Sequence, residues 1–266
     1  MIHLFQIAYS EATLHMIEPG YSVLNNLENT RPDWYEYWPI RNFLIKNKLD
    51  EKGLYGFFSP KFYQKTGLHH QDVVDLINPH IDSADIFLFC PQPDISAFFL
   101  NVFEGGELFD SGKMAACEAF LQTLGLQVPL RSLVMDSRTT VFSNYFVARP
   151  AFWRRWLAIN EQLFAICEDP SHPLHAALTQ PTNYPNTQRK VFIMEGMASL
   201  LLTIEPHWRT KAANCFRSAW SGTTLSNYRQ EAVLSDALKI AFREQGFPEY
   251  MEAFASLRSR LGLRPE

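Results

Sequence analysis

Glu195 makes the clearest chemical claim in this sequence. It stands in Phe192-Ile-Met-Glu195-Gly-Met-Ala-Ser-Leu-Leu, an otherwise apolar run, where an unpartnered acid is costly to bury. Three outcomes are open: the carboxylate reaches the helix edge, pairs with a base such as Arg189, or lines a cleft. In a cleft, burial raises its pKa toward neutrality and makes it a natural general base. Lys61, with Lys65 one turn later, could neutralise a phosphate as a point charge, or both could stand solvated at the start of a helix. Asp82 and Asp85 are spaced to hold a divalent cation, but they precede an apolar run, whereas a metal–diphosphate pair is expected after one. Helix capping is their plainer role. His69–His70 and His172/His175 are two histidine pairs with no matching carboxylate or thiol, short of the three or four convergent ligands of a metal site.

These groups need elements to position them. Short apolar runs predict strands over 2–9, 54–58, 84–90 and 139–147, the third being the clearest buried strand. Helical spacing predicts helices over 33–46, 71–77, 95–103, 113–124, 150–167, 189–203, 227–245 and 248–261. Pro150 stands in a helical first turn, where proline is tolerated. Residues 19–32, 105–112 and 168–188 read as loops. Strands alternating with helices point to an α/β fold with a mainly parallel sheet flanked by helices. In such sheets ligands bind beyond the carboxyl ends of the strands. The loops after residues 58, 90 and 142 are therefore the expected site, and they supply Ser59, Lys61, Gln92, Asp94, Ser143, Asn144 and Tyr145.

Composition narrows the classes. A 266-residue chain that is 47% hydrophobic, with 21 Phe, buries a sizeable core and is not disordered. The net charge of −4 argues against a general nucleic-acid binder. No run of about 18 apolar residues predicts a transmembrane helix, and residues 1–9 read as a strand, not a signal peptide. The four cysteines lie far apart without a CxxC pair, which favours reduced core thiols and a cytoplasmic setting. Walker A, GxGxxG, GxSxG and HExxH patterns are absent. From His207 to Glu266 nine Lys or Arg, the last of them Arg264, face six acids, a +3 segment after a body of −7. Beside Trp208, Phe216 and Trp220 this segment could rest on an anionic membrane surface, or form an ordinary solvated helix face. The organisation expected is an α/β domain over 1–205 and a helical C-terminal extension, 206–266, packed on it.

Four segments resemble the glycosyltransferases encoded among bacterial capsule and O-antigen polysaccharide genes, which have a GT-A-like α/β fold. Trp38-Pro-Ile-Arg41-Asn-Phe-Leu44 looks like their helix after the first strand. Tyr55-Gly-Phe-Phe-Ser59-Pro-Lys61-Phe62, with Lys65-Thr-Gly67, is similar to a segment that reaches the sheet and turns. Phe142-Ser-Asn144-Tyr145-Phe-Val-Ala-Arg149, with Pro150 and Phe152-Trp153, resembles an Asn-containing strand and the helix after it. Arg189 with Phe192-Ile-Met-Glu195-Gly-Met197 looks like a late helix that carries Glu followed by Arg. Here Gly196 stands in place of that Arg, and no Asp-x-Asp follows the 84–90 strand.

The resemblance implies transfer of a sugar from a nucleotide-sugar donor to a surface-polysaccharide or glycan acceptor. The setting expected is cytoplasmic, or peripheral to the inner face of the membrane if the basic C-terminal helices make that contact. It implies a base among Glu195, Asp94 and Glu104, a diphosphate held by Lys61 and Arg41, donor contacts from Ser59 and Lys65, and a sugar oriented by Asn144 and Tyr145. Mn or Mg is a possible cofactor, with no metal ligand identified. Two other classes remain open: a non-catalytic carbohydrate- or nucleotide-binding protein on the same fold, and a docking protein for polysaccharide assembly.

Overall fold

Alternating side chains along the strands explain how the sheet is covered on both faces. Ile7, Tyr55, Phe57, Ile86, Leu88, Phe146 and Ala148 point into one apolar cluster, while Leu4, Leu54, Phe58, Phe87 and Val147 point into another. The computed structural model describes residues 1–263; Arg264, the last base of the +3 segment, lies outside them.

In chain order the elements are β1 (Ile2–Ala8), α1 (Glu11–Leu14), β2 (Ser22–Asn25), α2 (Tyr37–Lys46), β3 (Leu54–Phe58), α3 (Phe62–Thr66), α4 (His70–Ile77) and β4 (Ile86–Leu88). Then follow α5 (Pro93–Phe98), α6 (Val102–Gly106), α7 (Lys113–Thr123), β5 (Phe146–Ala148), α8 (Pro150–Glu168) and α9 (His175–Thr179). The chain continues with α10 (Arg189–Ile204), β6 (Thr210–Ala212), α11 (Arg229–Gln245) and α12 (Pro248–Arg260). The strands form one sheet in the order β2-β1-β3-β5-β4-β6. The β1–β2, β1–β3 and β4–β6 pairs are parallel, and β5 runs antiparallel to both neighbours. The fold is α/β with a mainly parallel sheet flanked by helices, as the alternation predicts.

Local differences have local causes. The predicted 139–147 strand shrinks to three residues because Ser143 and Asn144 both adopt left-handed backbone, with φ of 56° and 53°. The predicted 33–46 helix splits into a 3₁₀ turn at Pro32–Trp34 and α2, because Tyr35 takes φ 46°. β2 lies inside a segment that reads as loop, and its partly exposed, single-edge position explains the weak apolar signal. Gly56 lets β3 and β5 approach, since a Cβ there would sit 2.6 Å from Val147 Cγ2.

Residues beyond 205 also contribute a strand. β6 continues the sheet next to β4, and Asp85 and Ile86 donate their N–H groups to Arg209 O. α11 and α12 pack against α5, where the buried Lys239 Nζ donates to Ser96 O at 2.5 Å and Phe99 O at 2.8 Å. Asp236 accepts from Ser137 N and Oγ, fastening α11 to the body. Several cations of this segment are paired: Arg209 with Asp85, Arg243 with Asp136 and Arg258 with Glu104. No helix among the described residues is long and apolar enough to cross a membrane.

Candidate functional site

The parallel strands β1, β2 and β3 end on one edge of the sheet, and their following loops open a cavity of about 710 Å³ there. Tyr9 follows β1, Asn26 and Asn29 follow β2, and Ser59, Pro60 and Lys61 follow β3. This is the edge where an α/β sheet collects ligands. Tyr35 and Glu36 enter from the kink before α2. The facing wall is the first turns of α10 (Val191, Phe192, Glu195) and the loop Tyr184–Thr187. A second cavity of about 300 Å³ lies on the other side of that wall and shares Lys65, Tyr184, Phe192 and Glu195 with the first.

Glu195 therefore sits where the two cavities meet. Burial pushes its carboxyl up, and the nearby Glu36 carboxylate pushes it further; Lys65, Lys113 and the backbone of Ser143 pull the other way, leaving it at about 7. Glu36 is likewise raised by burial, opposed by its own backbone, Lys65 and Lys61. Among the described residues neither carboxylate enters a salt bridge. The Arg189 partnership open to Glu195 is not made. Arg189 instead forks onto the buried Asp110, with both bonds at 2.8 Å, and donates to Ser111 O and Ala177 O. Gly196 also finds its reason here: α10 rides so close to α6 that a Cβ would lie 2.7 Å from the Phe103 ring. No arginine fits.

Of the residues expected to bind a donor, Ser59, Lys61 and Lys65 line the larger cavity. Lys65 Nζ donates to Ser143 Oγ at 2.8 Å and lies 5.5 Å from the centre of the Tyr145 ring. Tyr145 and Asn144 are fully buried, behind the wall. Tyr145 OH meets Ser59 Oγ at 2.5 Å, while Asn144 Nδ2 reaches Met194 Sδ and its Oδ1 has no partner. They shape the turn that presents Ser143 to Lys65, and neither lines either of these two cavities.

Three further candidates lie elsewhere. Arg41 forks onto Glu161 of α8 at 2.6 and 2.8 Å, where Tyr37 OH also donates, and its guanidinium stacks on Phe164. Asp94 is buried and accepts from Ser221 N and Oγ. Glu104 accepts from Arg258 at 2.7 Å and from Leu100 N. Each has its charge or lone pairs consumed by packing. Asp85 ties β4 to β6 through Arg209, a sheet-edge clasp instead of a cap.

Glu36, Asp33, Tyr9, Tyr184 and Lys113 escape a reading by motif. Glu36 looks like a solvated helix acid until the Tyr35 kink turns it inward. Asp33 is buried in part, which raises its carboxyl, but hydrogen bonds from Arg31 and Lys190 hold it at about 2. Among the described residues no three His, Cys, Asp or Glu side chains converge as a metal-binding set. The cleft offers Asp33, Glu36 and Glu195. Asp33 is already taken by Arg31 and Lys190, and the other two carboxyls are raised by burial beside two lysines, which is a poor donor set for a hard cation.

No protein-family model matches the chain, and no curated protein matches it. Among solved structures, the apo form of the WbbM bifunctional glycosyltransferase is similar, with 14% identity and a TM-score of 0.46. The likeness covers 80% of this chain and 44% of that one, so this chain spans less than half of that structure's length.

Proposed function

We propose that the protein is a glycosyltransferase that moves a sugar from a nucleotide-sugar donor to a hydroxyl of a surface-polysaccharide or other glycan acceptor. The observation that carries this reading is Glu195: a cleft carboxyl near 7, unpaired, on the wall between a large cavity and a small one. A base at that pKa is about half ionised at neutral pH, the condition under which proton transfer is most effective. The larger cavity has the size of a ligand cleft and takes the donor. Lys61 and Lys65 face the diphosphate. The acceptor approaches from the Glu195 side.

In the transfer the acceptor O–H bond breaks as Glu195 takes its proton. The freed oxygen forms the new bond to the anomeric carbon. The bond from that carbon to the diphosphate oxygen breaks, and its electron pair leaves with the nucleoside diphosphate. Lys61 and Lys65 are already in place to meet that developing charge, the electrostatic contribution that usually dominates such steps. No step is routed through a metal.

A second reading, a nucleotide- or carbohydrate-binding protein on the same fold, draws on the missing acidic pair after β4. Contact with an anionic membrane surface would fall to Lys211, Arg217, Arg229 and Arg260, since Arg209, Arg243 and Arg258 are paired. Thermal shifts with UDP, GDP, CMP and dTDP and their sugars, with and without Mn²⁺, test donor binding. A nucleotide at about 100 times its Kd adds roughly 2.7 kcal/mol, several degrees in a chain of this length. No shift with any nucleotide removes the donor site. A shift without turnover in Glu195-intact protein favours the binding reading.

A further inference from the structure

Lys113 is the first residue of α7, where the helix dipole disfavours a cation, and it is 94% buried, its relative exposure being 6%. Its Nζ makes one long hydrogen bond, 3.4 Å to Val102 O, although an ammonium has three protons to place. Three acids act on it, Glu195, Asp110 and Glu107. Among the described residues none forms a salt bridge with it, and the last two are committed elsewhere. Asp110 is forked by Arg189, and Glu107 accepts from the N–H groups of Gly112 and Met114. Phe103 and Phe192 rings lie 5.8 Å away. Burial lowers the pKa of Lys113, a cost that a bound anion would offset.

This side chain lines the 300 Å³ cavity, together with Lys65, Gln92 and Phe142, on the far side of Glu195 from the donor cleft. The volume suits one sugar ring. From the buried, under-partnered Lys113 ammonium in a cavity sharing Glu195, we infer that this cavity binds a sugar bearing a carboxylate, the acceptor residue of the proposed transfer being a uronic acid. This rests on the transferase reading for the word acceptor, but the anion site stands on its own geometry. A monoanion fits better than a phosphate dianion because Glu195, half ionised, shares the wall.

Titration calorimetry of the full chain with methyl glucuronide, methyl glucoside and glucose 6-phosphate tests the assignment. The glucuronide should bind about tenfold or more tightly than the glucoside, the scale of one charge-assisted contact. In Lys113→Met that preference should vanish while the protein melts normally. Equal binding of glucuronide and glucoside overturns the inference, as does tighter binding of glucose 6-phosphate, a preference that survives Lys113→Met, or no binding of any at millimolar concentration. The wild-type comparison decides even if the variant fails to fold. Nucleotide binding is scored separately: glucuronide binding without any nucleotide shift refutes the donor cleft and keeps the anion site, and the converse result does the reverse.

Discussion

Replacing Glu195 by Gln keeps the shape of the side chain and removes its titration, so it separates stability from chemistry in one variant. The wild-type carboxyl is raised from 4.5 to about 7, mostly by burial. That is about 3 kcal/mol of preference for the neutral form, reduced to about 1–2 kcal/mol by water in an open cleft. The folded state therefore holds this proton more tightly than the unfolded chain does. Wild-type stability falls as pH rises from 4.5 through 7 and is level beyond. Glu195→Gln escapes the loss: it should match wild type at pH 4 and exceed it at pH 8. At about 2–4 °C per kcal/mol for a chain near this size, the gain at pH 8 is roughly 2–8 °C in a differential scanning melt. Activity should move oppositely, with turnover lost at every pH, while wild-type turnover declines about tenfold per pH unit below 7 as the base is protonated. Melting curves that run parallel from pH 4 to 8 would refute the raised carboxyl. A variant that keeps wild-type turnover would refute the base.

Glu36→Gln removes the negative charge that lifts Glu195, so the midpoint of the pH–rate profile should shift to lower pH; an unmoved midpoint separates the two acids. Lys65→Met should shift that midpoint upward and weaken nucleotide binding about tenfold, read by calorimetry. Arg189→Met leaves Asp110 buried without its partner and should cost about 3–5 kcal/mol in denaturant melts. Gly196→Ala drives a methyl into Phe103 and should cost about 1–3 kcal/mol, with the tighter α6–α10 contact visible as a changed near-ultraviolet signal.

Glu195 was legible because a charge inside an apolar helix is an anomaly that composition alone exposes. Lys61, Lys65 and Ser59 were legible because a buried apolar run, Leu54–Phe58, announces a strand and therefore the loop after it. Arg41, Asp94 and Glu104 belonged equally to any plausible list. Their partners are 120, 127 and 154 residues away, so nothing local shows that they are already paired. Glu36 was hidden by a single backbone angle at Tyr35, and the short β6 strand by pairing energy that exists only once β4 is beside it.

The alternation of apolar runs by itself determined an α/β chain with a mainly parallel sheet, since burial periodicity is written residue by residue. It also marked one carboxylate as expensive. Which charges stay free to act was decided only by the tertiary structure. An ion pair depends on three-dimensional proximity that no spacing encodes: folding left Glu195, Glu36 and Lys113 without a salt bridge around two cavities, while it engaged Arg41, Asp94, Glu104 and Arg189 in packing contacts elsewhere.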